Sequence, residues 1–326
     1  MNYIPDNRAV YQQLSEEKNF PLMMQAWWME CVSRDKGKSW NALIVNDDDG
    51  KIIGAMPIHI IQRRFFRAVL TPMFVSYFGI YIDYQGITDE NDRKSHAEKI
   101  IAQLSEKLKA AGIDYFSGQT DKYFHDVELL RNQGFALTPQ HTYVINDISE
   151  PDTLISKYHH MKARAVRKAM KNGLKCDVNG ISPEEYYEIY ASILSAKRKK
   201  VLFSKDFFVG LVNAAIAHEQ GALFVIRDAN NVIHSALFCA WDPQCAYALA
   251  YLIRPEYRNS GASALMMHEA IRSLSGKTKE FDFEGGNAPK IGASYSKFAT
   301  TETPFYRFTK AYSLRGLAIK IALNFL

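Results

Sequence analysis

Two copies of one α/β fold are predicted for this chain. Three observations carry the expectation: its length, a hairpin that occurs twice, and a strand–turn–helix–strand unit in its second half. At 326 residues the chain exceeds what one hydrophobic core usually fills, and length alone favours about two domains. Ala42-Leu43-Ile44-Val45, the polar run Asn46–Gly50 and the apolar run Lys51–Ile61 read as a hairpin. The pattern returns as Ala222–Ile226, Arg227–Asn231 and Val232–Trp241, almost residue for residue. Ile113-Asp114-Tyr115 and Phe281-Asp282-Phe283, each after a helical stretch, extend the match. Long-period similarity of this kind marks duplicated units. The division is expected near Asp147–Pro151, giving domains 1–150 and 151–326.

Composition narrows the class of protein. Hydrophobic residues make up 47% and aromatics 13% of the chain, enough for a filled interior and against extensive disorder. A net charge of +5 is a mild basic excess that selects no partner. Cys31, Cys176, Cys239 and Cys245 are scattered without zinc-ligand or disulfide-framework spacing, so no metal is expected. Met1–Glu17 lacks the apolar core of a signal peptide. No run reaches the ~18 apolar residues that a spanning helix needs. The expected location is cytoplasmic.

In chain order, Phe20–Cys31 reads as a helix entered through Pro21, with Trp27 and Trp28 as packing residues. Asp47–Asp49 lack EF-hand spacing and read as a solvated turn. Arg63-Arg64-Phe65-Phe66-Arg67 is a basic and aromatic cluster at a strand end. It suits an anionic head group, or an exposed loop whose phenylalanines tuck inward. Asp92–Ala111 is a helix with Ala97, Ile100, Ile101, Leu104 and Leu108 on one face, closed by Gly112. A strand at Ile113–Gly118, a helix at Asp126–Gln133 and a strand at His141–Ile145 complete this half.

Between the copies, Lys157–Lys175 carries Lys157, Lys162, Arg164, Arg167, Lys168, Lys171 and Lys175 without an acidic residue. Tyr158, Met161, Ala165 and Ala169 give it an apolar stripe, and Gly173 ends it. Such a helix suits the phosphates of a nucleotide, RNA or membrane, and equally a solvated bridge between domains.

The second copy holds Tyr247–Ile253, an apolar run with the flanks of a buried strand. Arg254–Arg258 breaks it at Pro255, Asn259-Ser260-Gly261 follow, and Ala262, Leu265, Met266, Ala270 and Leu274 begin a helical period. The first amides of such a helix lack intrahelical partners and can hold an anion. A further strand, Phe281–Phe283, ends in Glu284-Gly285-Gly286-Asn287 and leads to Gly292–Phe298. The first copy has no Arg-x-x-Gly turn between its strand and helix, so it is expected to bind acceptor or serve structure.

Arg254–Ser263 resembles the pyrophosphate loop of GNAT-type acyltransferases, Arg/Gln-x-x-Gly-x-Gly/Ala. Arg258 and Gly261 match, and Ser263 stands where Gly or Ala is usual. Phe281–Gly286 and the segment to Lys297 are similar to the signature of the FemAB family, which carries two GNAT-like halves. Gly292 and Lys297 fit that signature. Ser296 replaces its aromatic before the lysine, and Thr300-Thr301 replace its Phe-Gly.

The resemblance implies an α/β (α+β) protein of two GNAT-like domains, each a mixed, mostly antiparallel sheet flanked by helices. It implies acyl-CoA, acetyl-CoA first, held at Arg258, Asn259, Ser260, Gly261, Ala262 and Ser263, with an amine acceptor. The FemAB side implies an alternative: aminoacyl-tRNA as donor and a peptidoglycan precursor as acceptor. It also gives Arg164, Arg167 and Lys168, within an Arg-x-x-Arg-Lys-Ala stretch, an anion-binding role. A catalytically idle protein that binds RNA or membrane is the rival from another class.

Acyl transfer to an amine needs a held donor, a neutral amine and stabilisation of the tetrahedral oxyanion. Tyr247–Ile253 offers no carboxylate, so Glu284 is the candidate base, with Asp282 orienting the loop. Strand-end capping is the plain alternative for both. Tyr251 and Tyr295 are candidate proton donors, or core. Lys297 is the first choice for stabilising developing negative charge.

Two subsidiary expectations concern the turn. A side chain at Gly261 should block phosphate with little effect on thermal stability, and the turn should not depend on the basic helix. The tail places Leu314, Leu317, Ala318, Ile321 and Phe325 on one helical face, for packing on the second domain or for an anionic membrane.

Overall fold

The computed structural model describes residues 4–34, 38–77 and 79–324. The elements run α1 (Arg8–Glu17), a 3-10 turn at Leu22–Met24, α2 (Ala26–Val32), β1 (Lys38–Asn46), β2 (Ile52–Arg63), β3 (Phe66–Leu70), β4 (Tyr81–Ile82), α3 (Glu90–Ala110), β5 (Tyr115–Gln119), α4 (Val127–Asn132) and β6 (Ala136–Ile145). Then come α5 (Pro151–Lys157), α6 (His160–Lys171), β7 (Lys175–Val178), α7 (Pro183–Ala196), α8 (Lys205–Ala217), β8 (Gly221–Arg227), β9 (Ile233–Trp241) and β10 (Cys245–Ile253). A 3-10 turn at Pro255–Tyr257 precedes α9 (Ala262–Leu274), β11 (Glu280–Asp282), α10 (Pro289–Tyr295), a 3-10 turn at Ser296–Phe298, β12 (Thr301–Ala311) and α11 (Leu314–Asn324). The helix expected from Phe20 is split. Gln25 is extended at ψ 140°, which ends the 3-10 turn and caps α2.

The chain divides into two compact units: Met1–Gln140 with Pro304–Leu326, and His141–Thr303. The tail therefore belongs with the first unit, unlike the expected cut near 150. The reason is strand pairing. Arg307–Ala311 of β12 run antiparallel to Tyr115–Gln119 of β5, and α11 packs on β5 and β3. Val144 and Ile145 of β6, early in the sequence, pair instead with β11. Such long-range partners leave no local sequence signal.

Strand order in the first unit is β1-β2-β3-β5-β12, with β4 on β2. In the second it is β6-β11-β10-β9-β8-β7. Each unit is mixed and mostly antiparallel, with one parallel pair: β3 with β5, and β10 with β11. Helices α3 and α9 hold matching chain positions, each between the two parallel strands. The duplicated hairpins also share their turn chemistry. The Asp47 carboxylate accepts from the amides of Asp49 and Lys51, and Asp228 accepts from Asn230 and Val232. Asp47 is thus a turn cap, as its local amides demand.

In the second unit, period-two residues Phe224 and Ile226 of β8, Leu237 and Cys239 of β9, and Ala246 and Ala248 of β10 share a core with Leu265, Met266 and Ala270 of α9. Phe238, on the alternate face of β9, meets Phe208 of α8 at 5.9 Å. Cover on both faces explains why β9 is buried from end to end.

Candidate active site

The site grows from β10. Its parallel pairing with β11 covers only Cys245–Tyr247. Beyond that, β10 continues to Ile253 beside β9, with a bulge at Leu249. Among the described residues no strand pairs with its other edge there, and in this stretch the Tyr186 hydroxyl donates to Ala250 O at 2.8 Å.

The turn that follows is pinned from β9. Arg254 N donates to His234 O at 3.0 Å. The Tyr257 ring stacks on His234, with centroids 3.8 Å apart and planes 9° from parallel. His234 Nε2 lies 3.4 Å from Asp228 Oδ2. The backbone amide of Val232 and the His234 ring hold the Asp228 carboxyl below its ordinary range. Gly261 then takes the left-handed conformation at φ +88° and caps α9. Ala262 N donates to Ser260 Oγ, and Ala264 N and Leu265 N to Gly261 O. Among the described residues, the amides of Asn259, Gly261 and Ser263 have no acceptor within the chain. With Arg258 exposed beside them, these groups can meet an anion.

Helix α6 lies directly against this turn, which corrects the expectation that the two are independent. Lys168 Nζ donates to Asn259 O at 2.9 Å. A Cβ on Gly261 would overlap the Ala165 carbonyl oxygen and stand 3.2 Å from Ala169 Cβ. The absence of a side chain at Gly261 therefore serves helix packing as well as its left-handed φ, and substitution must affect stability. The buried face of α6 is Ala163, Val166 and Ala169, while Met161, expected in the apolar stripe, is 56% exposed. Arg164 and Arg167 are exposed.

Four of the expected residues gather around Tyr295. Tyr295, on α10, is 5% exposed, and its hydroxyl lies beside Tyr251 of β10 without a well-formed hydrogen bond. Burial, then the neighbouring Tyr251, Glu284 and Asp282, push the Tyr295 hydroxyl far above its ordinary pKa, so it stays protonated. Asp282 is 4% exposed and its Oδ1 accepts from Thr142 Oγ1 and, at 2.9 Å, from Glu284 N. That pair of bonds sets the sharp exit from β11, where Glu284 takes φ +53° and remains half-buried.

Lys297 lies in the 3-10 turn after α10. Its carbonyl accepts from His159 N at 3.0 Å. Its charge is felt by Lys162 and His159. Lys162 was not a candidate in the sequence. Its Nζ donates to Ser294 Oγ at 2.8 Å and lies 4.6 Å from the centre of the Phe298 ring. Burial first, and Lys297 second, push its pKa down to about 8. A signal for it existed: Lys162, Val166 and Ala169 recur at i, i+4 and i+7, so it belongs to the packed face.

Residues 156–290 match the family model of the acetyltransferase (GNAT) domain. The matched stretch falls wholly within the second unit. Across the whole chain the fold is similar to several solved structures at low identity. FemX aligns over 98% of both chains at 14% identity with a TM-score of 0.70. L-PGS from Bacillus licheniformis aligns over 98% of this chain and 97% of its own at 10% identity and 0.58. A tandem GNAT protein from the clavulanic acid biosynthesis pathway aligns over 85% and 84% at 10% identity and 0.53. These likenesses establish the tandem GNAT-like fold. No curated protein matches the sequence. The second unit thus places an amide-rich turn, a tyrosine pair with two carboxylates, and a lysine pair on one framework. Among the described residues no cluster of potential metal ligands occurs.

Proposed function

We propose that the protein is an N-acyltransferase that moves an acyl group from acyl-CoA, acetyl-CoA in the simplest case, to an amine. The observation that carries this reading is the α9 turn, whose acceptor-free amides of Asn259, Gly261 and Ser263 follow the open edge of β10. A pyrophosphate suits those amides and Arg258, and a thioester arm has room along the strand edge that no other strand covers. The bound donor supplies an activated acyl carbon. Around it, Glu284 would take a proton from the amine. Tyr251 or the protonated Tyr295 would hold a proton for the leaving group, and Lys297 would stabilise developing negative charge. The first unit is assigned acceptor-binding or structural duty. Isothermal titration with acetyl-CoA, alongside thiol release from acetyl-CoA with a panel of amines, tests the reading. No binding and no turnover would sink it.

A second reading has its own support. Arg164 and Arg167 lie exposed on the helix packed against the turn, and the chain has the full-length fold of FemX. One further neighbour is described as a putative lysylphosphatidylglycerol synthetase. An aminoacyl-tRNA donor, with a cell-wall or lipid-linked acceptor, fits those features. Salt dependence separates the donors. Each RNA phosphate neutralised gives a log–log slope of about −0.7, whereas acyl-CoA held largely by amides should be far less sensitive.

A further inference from the structure

The first unit carries an apolar and basic surface that the donor site does not use. Phe65, at the tip between β2 and β3, is 70% exposed, with the Arg64 guanidinium 5.2 Å from its ring centre. The inward tuck allowed by the sequence for this ring does not occur. Helix α11 rises beside the same tip. Arg315 Nη1 donates to Phe65 O at 3.4 Å and ties the helix to the hairpin. Gly316 is the point of closest approach: a Cβ there would overlap the Asp114 carbonyl oxygen. Ser313 Oγ donates to Asp114 Oδ1 at 2.6 Å and accepts from Gly316 N, which fixes the helix start.

With the Gly316 side against β5, the Leu314–Ile321 face turns to solvent. Leu314 is 87%, Leu317 47% and Ile321 52% exposed. Phe325, expected on the same face, lies outside the described residues. Arg63, Arg64 and Arg315 are exposed and Lys320 is half-buried, and neither 62–68 nor 314–324 contains an acidic residue; the carboxylate packed against both, Asp114, is taken up by Arg67 N and Ser313 Oγ.

We propose that the hairpin tip and α11 together form a docking surface for an anionic lipid bilayer. Charge complementarity selects the occupant. Lysine and arginine side chains are drawn to an anionic surface, and exposed Phe and Leu side chains enter the head-group boundary. At 11 residues α11 spans only ~16 Å, so it lies in the interface and does not cross. A second copy of the chain is a poorer occupant. A two-fold contact through this face would bring the same arginines together.

The test is flotation of the full chain with vesicles of phosphatidylcholine, with and without phosphatidylglycerol, at low and high salt. Binding should need phosphatidylglycerol and fall with salt. Two variants, Phe65→Ser with Leu317→Ser, and Arg63→Glu with Arg64→Glu, should each lower vesicle partition about tenfold or more, with Tm unchanged because every altered side chain is exposed. Equal binding to neutral vesicles, no binding to either kind, or variants that bind like the parent would overturn the proposal. So would a concentration-dependent dimer in light scattering that either variant abolishes.

Discussion

Gly261 faces the carbonyl of Ala165 so closely that no side-chain carbon fits between α9 and α6. The glycine also sits at φ +88°, a conformation that costs other residues roughly 1–2 kcal/mol. Gly261→Ala should therefore destabilise the second unit, with Tm lower by about 2–8 °C, before any effect on donor affinity is considered. Calorimetry decides it. An unchanged Tm would mean that α6 yields freely at this point.

Tyr295 offers a cleaner probe of chemistry. Its buried hydroxyl has no well-formed hydrogen bond, so Tyr295→Phe should leave Tm nearly unchanged. If the hydroxyl serves the leaving group, kcat should fall about 100-fold while KM for the donor holds. A drop in Tm without loss of kcat would make it a packing residue.

Lys162 predicts a pH-dependent difference in stability. Its folded pKa is about 8 against an ordinary 10.5. Between those values the unfolded chain binds more protons, so the lysine's destabilising contribution, complete below about 8, is relieved as pH rises. The parent should accordingly gain on Lys162→Met as pH climbs through that window. Parallel Tm curves from about pH 7 to pH 10 would show that the lysine titrates normally. Lys297→Met should raise the Lys162 pKa and so narrow the window from its lower edge, since Lys297 is the second cause of the depression.

Lys168→Glu should weaken acetyl-CoA binding by roughly tenfold, because Lys168 holds the Asn259 carbonyl of the turn. Arg164→Glu with Arg167→Glu should change acetyl-CoA affinity less than threefold, since both side chains are exposed. That double variant should, however, reduce the salt slope of any tRNA binding by about 1.4, two contacts' worth. Titration at three salt concentrations measures both, and an unaltered slope would remove α6 from RNA recognition.

The sequence by itself determined the duplicated hairpins, the helix around Ile100 and the place of the turn, because each is local; the helix read from Phe20 is split at Gln25. Period-two and period-3.6 patterns state which side of an element is apolar, and Asp47 and Asp228 close their turns with amides two and four residues on. The strand–turn–helix around Gly261 was legible for the same reason. Only the tertiary structure decided what covers each face. It set α6 on the turn, which gave Gly261 a packing duty and drew Lys162 into a half-buried place beside Phe298. It paired β12 with β5 and so moved Pro304–Leu326 to the first unit. It left the apolar face of α11 open to solvent. A helical period shows that a face is apolar. Its partner is chosen by which distant element buries the most surface without a clash, and that choice is written in no single stretch of chain.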